Sequence, residues 1–328
     1  MRISVIIVNW NGKHFLEGCL TSLREQTFKD FEIILIDNGS TDGSPEFAKA
    51  HFPEVTVVRL PENYGFCVAN NVGIRRSQGE YVALLNNDAE ASPRWLQALA
   101  GALDSNPQAG FCASKMLLYD HPDIVDSAGD IFHTCGVGDK RGRQQRDDGQ
   151  FDEITSVFGA CAGAALYRSE MLRDVGLFDE DFFAYDEDID LSFRAQLNGY
   201  QCLFVPDAVV YHHLKGTSRK LPEKSLYLAR RNALHVLVKN MPIGLLCRRL
   251  PYILCYYFAG DVSCIIRGSW KPVLRARLHN LTHLRKTLAS RRKIQAGRRV
   301  SNGYLNSVMT PGRIRGILRK TLGNLQGR

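Results

Sequence analysis

The sequence predicts an open α/β sheet that binds its ligand beyond the carboxyl ends of its strands. Three observations predict it. Short, continuous apolar runs alternate with helical periods through residues 3–85, at the spacing of strand–helix units. The runs lack polar alternation, as expected of strands covered on both faces. Three of them end in polar loops, at 9–12, 37–44 and 86–90, where such sheets hold their ligands.

Residues 3–8 read as a buried parallel strand stopped by Asn9-Trp10-Asn11-Gly12. Residues 14–26 place Phe15, Leu16, Cys19, Leu20 and Leu23 at helical spacing. A second strand over 31–36 runs into Asp37-Asn38-Gly39-Ser40-Thr41-Asp42-Gly43-Ser44. That loop reads either as a turn whose side chains bond their own backbone, or as a nucleotide-base or ribose site with Asp37 as acceptor for a ring N–H or a hydroxyl. A helix over 45–50, a strand over 55–60, a helix over 66–76 and a strand over 81–85 follow. No GxGxxG follows the first strand and no P-loop occurs, which argues against a dinucleotide oxidoreductase and a P-loop NTPase. The fourth strand ends in Asn86-Asn87-Asp88, whose side-chain oxygens can share a hard cation and a diphosphate. The bland alternative is that Asp88 or Ser92 caps a helix starting at Pro93.

Residues 115–151 have weak periodicity, five glycines and mixed charge, and read as an insertion or mobile loop at the mouth of the site. Residues 157–166 (VFGACAGAAL) are small and apolar; they suit close packing or the floor of a sugar or acceptor site. A short helix over 171–177 is stopped by Gly176. Seven carboxylates then fall within residues 179–190, interleaved with Phe182, Phe183 and Tyr185. Burial among aromatics raises the cost of each charge. Such a cluster holds a metal or abstracts a proton, or is an acidic first helical turn. With a helix starting near Asp186, Ile189, Phe193 and Leu197 share a stripe, and Arg194 pairs with Asp190. Glu187 and Asp188 then stand at the open end, facing a cleft. Gly199 fits the residue after the helix. Strands over 203–206 and 208–211 end in His212-His213, more often a structural or solvated pair than a metal-bound one.

The net charge of +8 hides an asymmetry. Sixteen of the 42 Lys and Arg lie from Arg267 onward, with no acid after Asp261, so residues 1–261 hold 26 bases against 34 acids. A basic tail on an acidic body points to an anionic partner: a membrane surface, a nucleic acid or a polyphosphate. The longest uncharged piece of 243–266 is the eleven residues 250–260, against about 20 needed to span a bilayer. The region therefore reads as an interfacial segment on the cytoplasmic leaflet, or as an extra helical packing layer. A strand begins at once at the N-terminus, leaving no room for a signal peptide, and nine scattered cysteines fit a reducing cytosol.

Four stretches now occur in one order: Asp37-Asn38-Gly39-Ser40; Asn63-Tyr64-Gly65-Phe66 with Asn70-Asn71 and Gly73; residues 84–88; and residues 178–191. With Val210-Tyr211-His212 they resemble family 2 glycosyltransferases of the GT-A fold, in the rhamnosyltransferase-like subgroup, over about residues 3–240. The resemblance implies a catalytic domain over 1–240, built as a Rossmann-like open mixed sheet with helices on both faces, and a basic helical extension over 241–328. It implies inverting transfer of a sugar, rhamnose among the candidates, from a nucleotide-diphosphate sugar. The acceptor would be a hydroxyl of a saccharide or lipid-linked saccharide in cell-surface polysaccharide synthesis. Asp37 matches the residue that reads uracil or thymine. Asn86-Asn87-Asp88 matches the Asp-x-Asp metal motif, with Asn86 in place of the first Asp. Asn9, Asn38, Asn63, Gly65 and Asn70 join them in donor binding, and Arg231-Asn232 resembles a recurring Arg-Asn pair that implies a diphosphate or acceptor contact. Glu187-Asp188 matches the Glu-Asp pair, with Asp188 as base. His212, or second His213, joins Asp88 on Mg²⁺ or Mn²⁺. Two rival readings exist. A sugar-phosphate nucleotidyltransferase needs a Gly-rich basic run after the first strand, which residues 9–13 supply poorly. A nucleic-acid binder leaves the acidic cluster without a role, and an acidic body repels nucleic acid.

Overall fold

The computed structural model describes residues 1–213 and 222–312. The first half alternates as expected: β1 (Ile3–Asn9), α1 (Lys13–Arg24), β2 (Phe31–Asn38), α2 (Ser44–His51), β3 (Val55–Leu60), α3 (Gly65–Arg76) and β4 (Tyr81–Leu85). Then come β5 (Ala89–Ala91), α4 (Trp95–Ser105), β6 (Ala109–Leu118), β7 (His121–Ser127), β8 (Asp130–His133), β9 (Val137–Lys140), β10 (Thr155–Val157), β11 (Ala164–Arg168) and α5 (Ser169–Val175). A 3₁₀ turn (Glu180–Phe182) precedes α6 (Glu187–Leu197), β12 (Gln201–His212) and α7 (Pro222–Asn240). Four helices follow: α8 (Ile243–Ile266), α9 (Trp270–Thr282), α10 (Leu284–Ala296) and α11 (Asn302–Val308).

The main sheet runs β3-β2-β1-β4-β11-β6-β12-β10, with β5 on β12 and β7 on β6. Strands β1 to β4 pair in parallel; β11 is antiparallel to both β4 and β6. The sheet is therefore mixed. Alternate residues of β1 serve opposite faces. Ile3, Val5 and Ile7 pack with Leu16, Leu20 and Leu23 of α1 and Leu99 of α4. Ile6 belongs to the other core, with Cys67 and Ile74 of α3 and Phe193 of α6. Helices thus cover both faces, which is why the strands carry no polar stripe.

Three expectations need correction, and at the C-terminus the packing-layer alternative is the one seen. Residues 115–151 are not a mobile loop: they complete β6, add β7, and fold the β8–β9 hairpin against the site. Neither Asp88 nor Ser92 caps a helix, because α4 begins at Trp95 with no side-chain cap. The two strands over 203–211 are one strand, β12, with a register irregularity between Val205 and Val209. And residues 241–312 share a core with the sheet: Leu245, Ile253, Tyr257 and Leu305 are buried in the same cluster as Phe132 and Phe158. Several of their bases are used internally. Arg299 binds Asp174 at 2.7 and 2.9 Å, and Arg291 donates to the carbonyls of Val238 and Met241. No helix among the described residues is long and apolar enough to cross a membrane. The end of the basic tail, 313–328, lies outside the described residues.

Helix α6 is anchored as its spacing suggests. Asp190 is fully buried. It accepts from Arg194 Nε at 2.9 Å, Lys239 Nζ at 3.0 Å and Asn240 Nδ2 at 2.7 Å. Arg194 also donates to the carbonyls of Val175, Gly176 and Leu177. This fixes the helix whose first turn carries Glu187 and Asp188.

Candidate active site

The ends of β1, β2 and β4 meet α6 and the β8–β9 hairpin around one cavity of about 610 Å³. On the first wall, the strand-end loops are laced together. Asn9 donates to Ser40 Oγ at 3.2 Å and accepts from Asn87 Nδ2 at 2.7 Å. Asp37 Oδ2 accepts the Ser40 N–H at 3.2 Å. Its Oδ1 is buried with no hydrogen-bond partner among the described residues. A buried carboxylate oxygen without a donor is costly, so a ligand N–H or hydroxyl would be well received there. Asn38 Nδ2 donates to Asn63 Oδ1 at 3.0 Å, and its Oδ1 accepts the Tyr64 N–H. Gly65 sits at φ +88°, and a Cβ there would lie 2.6 Å from the ring and carbonyl of Phe183. Only glycine fits.

The second wall is made by strand pairing. Ala89 of β5 is in register with His212 of β12. This brings His212 Nε2 to 3.3 Å from Asp88 Oδ1. Neighbouring strand residues point to opposite faces. His212 therefore lines the cavity, while His213 pairs with Glu90 at 3.1 Å and stacks on Tyr119. His212 Nδ1 lies 2.9 Å from Asp126, which Lys140 holds at 2.8 Å. Burial works against a charge on His212, but hydrogen bonds to Asp126 and Asp88 outweigh it and push its pKa up to about 9. The gap between the two carboxylates thus already favours positive charge. A carboxylate and an imidazole backed by a second carboxylate suit a divalent cation. Among the described residues no group of three or more His, Cys, Asp and Glu could hold one.

The third wall is acidic. Asp188 is half-buried. Its Oδ1 accepts the Ile189 N–H at 2.8 Å and its Oδ2 the Ala162 N–H at 3.3 Å. Burial raises its pKa; those N–H groups and Lys140 hold the rise back. Burial and then the Asp188 charge drive Glu187 and Asp130 well above the carboxylate range, and push Asp186 up to about 7. Glu187 Oε2 and Asp130 Oδ2 are buried without partners among the described residues. Such a cluster shares protons. Two backbone N–H groups and Lys140 hold back the rise of Asp188, so it is the more readily ionised member of the pair.

Residues 183–186 form a strained strap in front of this cluster. Phe183, Tyr185 and Asp186 have φ of 64°, 72° and 63°, each costing roughly 1–3 kcal/mol unless held. They are held from α7. Asn232 Nδ2 donates to the carbonyls of Phe182, Ala184 and Tyr185 at 3.2, 2.8 and 2.7 Å. Arg231 donates to those of Asp181 and Phe182 at 2.7 Å each. Asn232→Ala is expected to loosen the strap and misplace Asp188, lowering kcat about 10–100-fold with little change in donor affinity. Turnover kinetics beside calorimetry would check this; wild-type kcat would contradict it.

Of the residues read from the sequence, Asn38, Asn63, Gly65, Asn86, Asn87, Asp88, Glu187, Asp188 and His212 line the cavity. Asn9, Asp37 and Asn70 lie behind it, and Asn70 bonds the Phe66 carbonyl. Arg231 is a correction: its guanidinium donates to the Asp181 and Phe182 carbonyls of the 3₁₀ turn and to Asn232 Oδ1, and it does not line the cavity. The small-residue run does form a floor, through Cys161, Ala162 and Gly163. Asp126, Asp130 and Lys140 were not anticipated as site residues.

A mixed sheet with polar strand-end loops, a carboxylate–imidazole pair and a buried acid cluster around one cleft defines a transferase of the GT-A type. Residues 4–176, over half of the chain, match the family described as Glycosyl transferase family 2. The chain belongs to that family and is a glycosyltransferase, which displaces the nucleotidyltransferase and nucleic-acid readings. It is 27% identical over 323 residues to the N-acetylglucosaminyl-diphospho-decaprenol L-rhamnosyltransferase of Mycobacterium tuberculosis, covering 90% of this chain and 98% of that one. Two solved structures share the fold. One is S. aureus TarS 1-349 in complex with UDP-GlcNAc, with TM-score 0.57, 18% identity, and 90% of this chain and 91% of that one covered. The other is the mannosyltransferase PcManGT from Pyrobaculum calidifontis in complex with GDP-Man and Mn²⁺, with TM-score 0.55, 17% identity, and coverage of 100% and 88%.

Proposed function

We propose that this protein transfers a sugar, with rhamnose the leading candidate, from a nucleotide-diphosphate sugar to a hydroxyl of a lipid-linked saccharide, with inversion. The observation that carries the reading is the opposition of Asp88–His212 and Asp188 across one cavity. The likeness to the mycobacterial rhamnosyltransferase over nearly its whole length favours rhamnose and a polyprenyl-linked acceptor at the membrane.

Asp188 takes the proton of the acceptor hydroxyl as its oxygen bonds to the anomeric carbon. The bond from that carbon to the diphosphate oxygen breaks, and the electron pair leaves with the nucleoside diphosphate. Glu187 keeps its proton and can donate it to a sugar or acceptor oxygen. Asn38, Asn63 and Gly65 shape the nucleoside end, and Asp37 behind them would receive the base if donor entry uncovers its unpartnered Oδ1. Asp88 and His212 would hold Mg²⁺ or Mn²⁺, which neutralises the departing diphosphate; the Mn²⁺ of the mannosyltransferase complex fits this reading.

Asp88→Ala is therefore expected to weaken metal-dependent donor binding at least tenfold by calorimetry, without affecting the metal-free background. Equal affinity in the variant would remove Asp88 from the metal. The acid limb of kcat/KM is expected above the ordinary aspartate range, because burial raises Asp188. Activity then rises with pH through that limb; a limb near pH 4 would contradict the buried base.

A further inference from the structure

We propose that the C-terminal helices dock this protein on an anionic lipid surface through exposed apolar stripes on α8 and α9. Twelve of the sixteen large hydrophobic side chains exposed among the described residues fall within residues 243–288. The exposure is therefore concentrated, not scattered. On α8, Leu250, Leu254 and Phe258 recur every four residues, with Leu254 59% and Phe258 72% exposed. On α9, Trp270, Leu274 and Leu278 repeat the spacing. Each helix already uses an inward side: Ile253 and Tyr257 of α8, and Val273 and Ala276 of α9, are buried. The stripes are second faces, left over after packing on the body.

Charge selects the occupant. Residues 241–312 contain thirteen Lys and Arg and one acid, Asp261. Arg277 binds both oxygens of Asp261 at 2.7 Å. Arg248 of α8, Arg267 just after it, Lys271 of α9 and Arg285 of α10 stand exposed. A second copy docked on this face would set two cationic surfaces against each other with no free acid between them. A nucleic acid would answer the charge and not the apolar stripes. Anionic headgroups above acyl chains answer both, for helices lying in the interface. The attachment thus resides in these folded helices, of which the sequence marked residues 243–266 as interfacial beside the basic tail. The proposed lipid-linked acceptor gives the docking its purpose; the docking itself is measured without any sugar.

The test is co-sedimentation of the full chain with vesicles of phosphatidylcholine alone or mixed with phosphatidylglycerol. Binding is expected to the mixed vesicles, and to fall with salt. Leu254→Ser with Phe258→Ser should weaken it about 100-fold, with nucleotide-sugar binding and the unfolding midpoint unchanged as proof of folding. The proposal is overturned if the wild type stays in the supernatant with both vesicles at low salt, or if the folded double variant binds as well as wild type. It is equally overturned if sedimentation equilibrium finds a dimer that the double variant breaks, which would give this face to a second copy. In the wild type, failure to bind vesicles with donor binding intact condemns the docking alone; failure to bind a donor with vesicle binding intact condemns the catalytic reading alone.

Discussion

Asp188→Asn is expected to lower turnover about 10²–10⁴-fold while donor affinity is retained. Asparagine keeps the shape and can still accept the Ile189 N–H at Oδ1. It cannot take a proton. The size of the loss follows from the partners: Glu187, the adjacent carboxyl, is driven well above the carboxylate range by burial and by Asp188 itself. Removing the Asp188 charge lowers the pKa of Glu187, so a small residual rate through Glu187 is expected. Single-turnover kinetics with a nucleotide-sugar donor, beside calorimetry of the same donor, separates chemistry from binding. Near wild-type turnover would take the base role from Asp188.

Asp190→Ala is expected to cost about 3–5 kcal/mol of stability, read from urea unfolding at neutral pH. The substitution strands two buried cations. Lys239, 2% exposed, keeps only Asp179, and Arg194 keeps only backbone carbonyls. Burial opposes the Asp190 charge, but Lys239 and then Arg194 hold its pKa below the ordinary value. The carboxylate therefore contributes stability above the unfolded-state pKa, and that contribution is lost as pH falls through the folded one. The variant should show a flatter acid limb of stability than the wild type. A loss below 1 kcal/mol would mean the network is not what fixes α6.

How much of this was legible in the sequence follows the range of the interactions. The strands and helices of residues 3–85 announce themselves because both faces of each strand are apolar and each loop is polar. The Asp190–Arg194 pair is legible because it is one helical turn. The choice of His212 over His213 was open in the sequence and needed the pairing of β12 with β5. Asp126 was invisible because its partner His212 lies 86 positions away, and residues 115–151 look like a solvated loop until the hairpin is folded. Arg231 and Asn232 were misread for a different reason. Their partners are backbone carbonyls of the 3₁₀ turn and of the strap after it, whose left-handed residues include no glycine to mark them. A donor aimed at main-chain oxygen has no complementary side chain for a sequence to display.

The central claim is that the cavity binds a nucleotide-diphosphate sugar through a divalent cation on Asp88 and His212. Calorimetric titration of dTDP-, UDP- and GDP-sugars, with Mg²⁺, with Mn²⁺ and with chelator, tests it most directly. The account predicts that at least one donor binds with metal, that chelator weakens it at least tenfold, and that protons are released as the cation displaces the one on His212. Equal donor affinity with and without metal, or no binding by any nucleotide sugar while a nucleoside triphosphate binds, would contradict it.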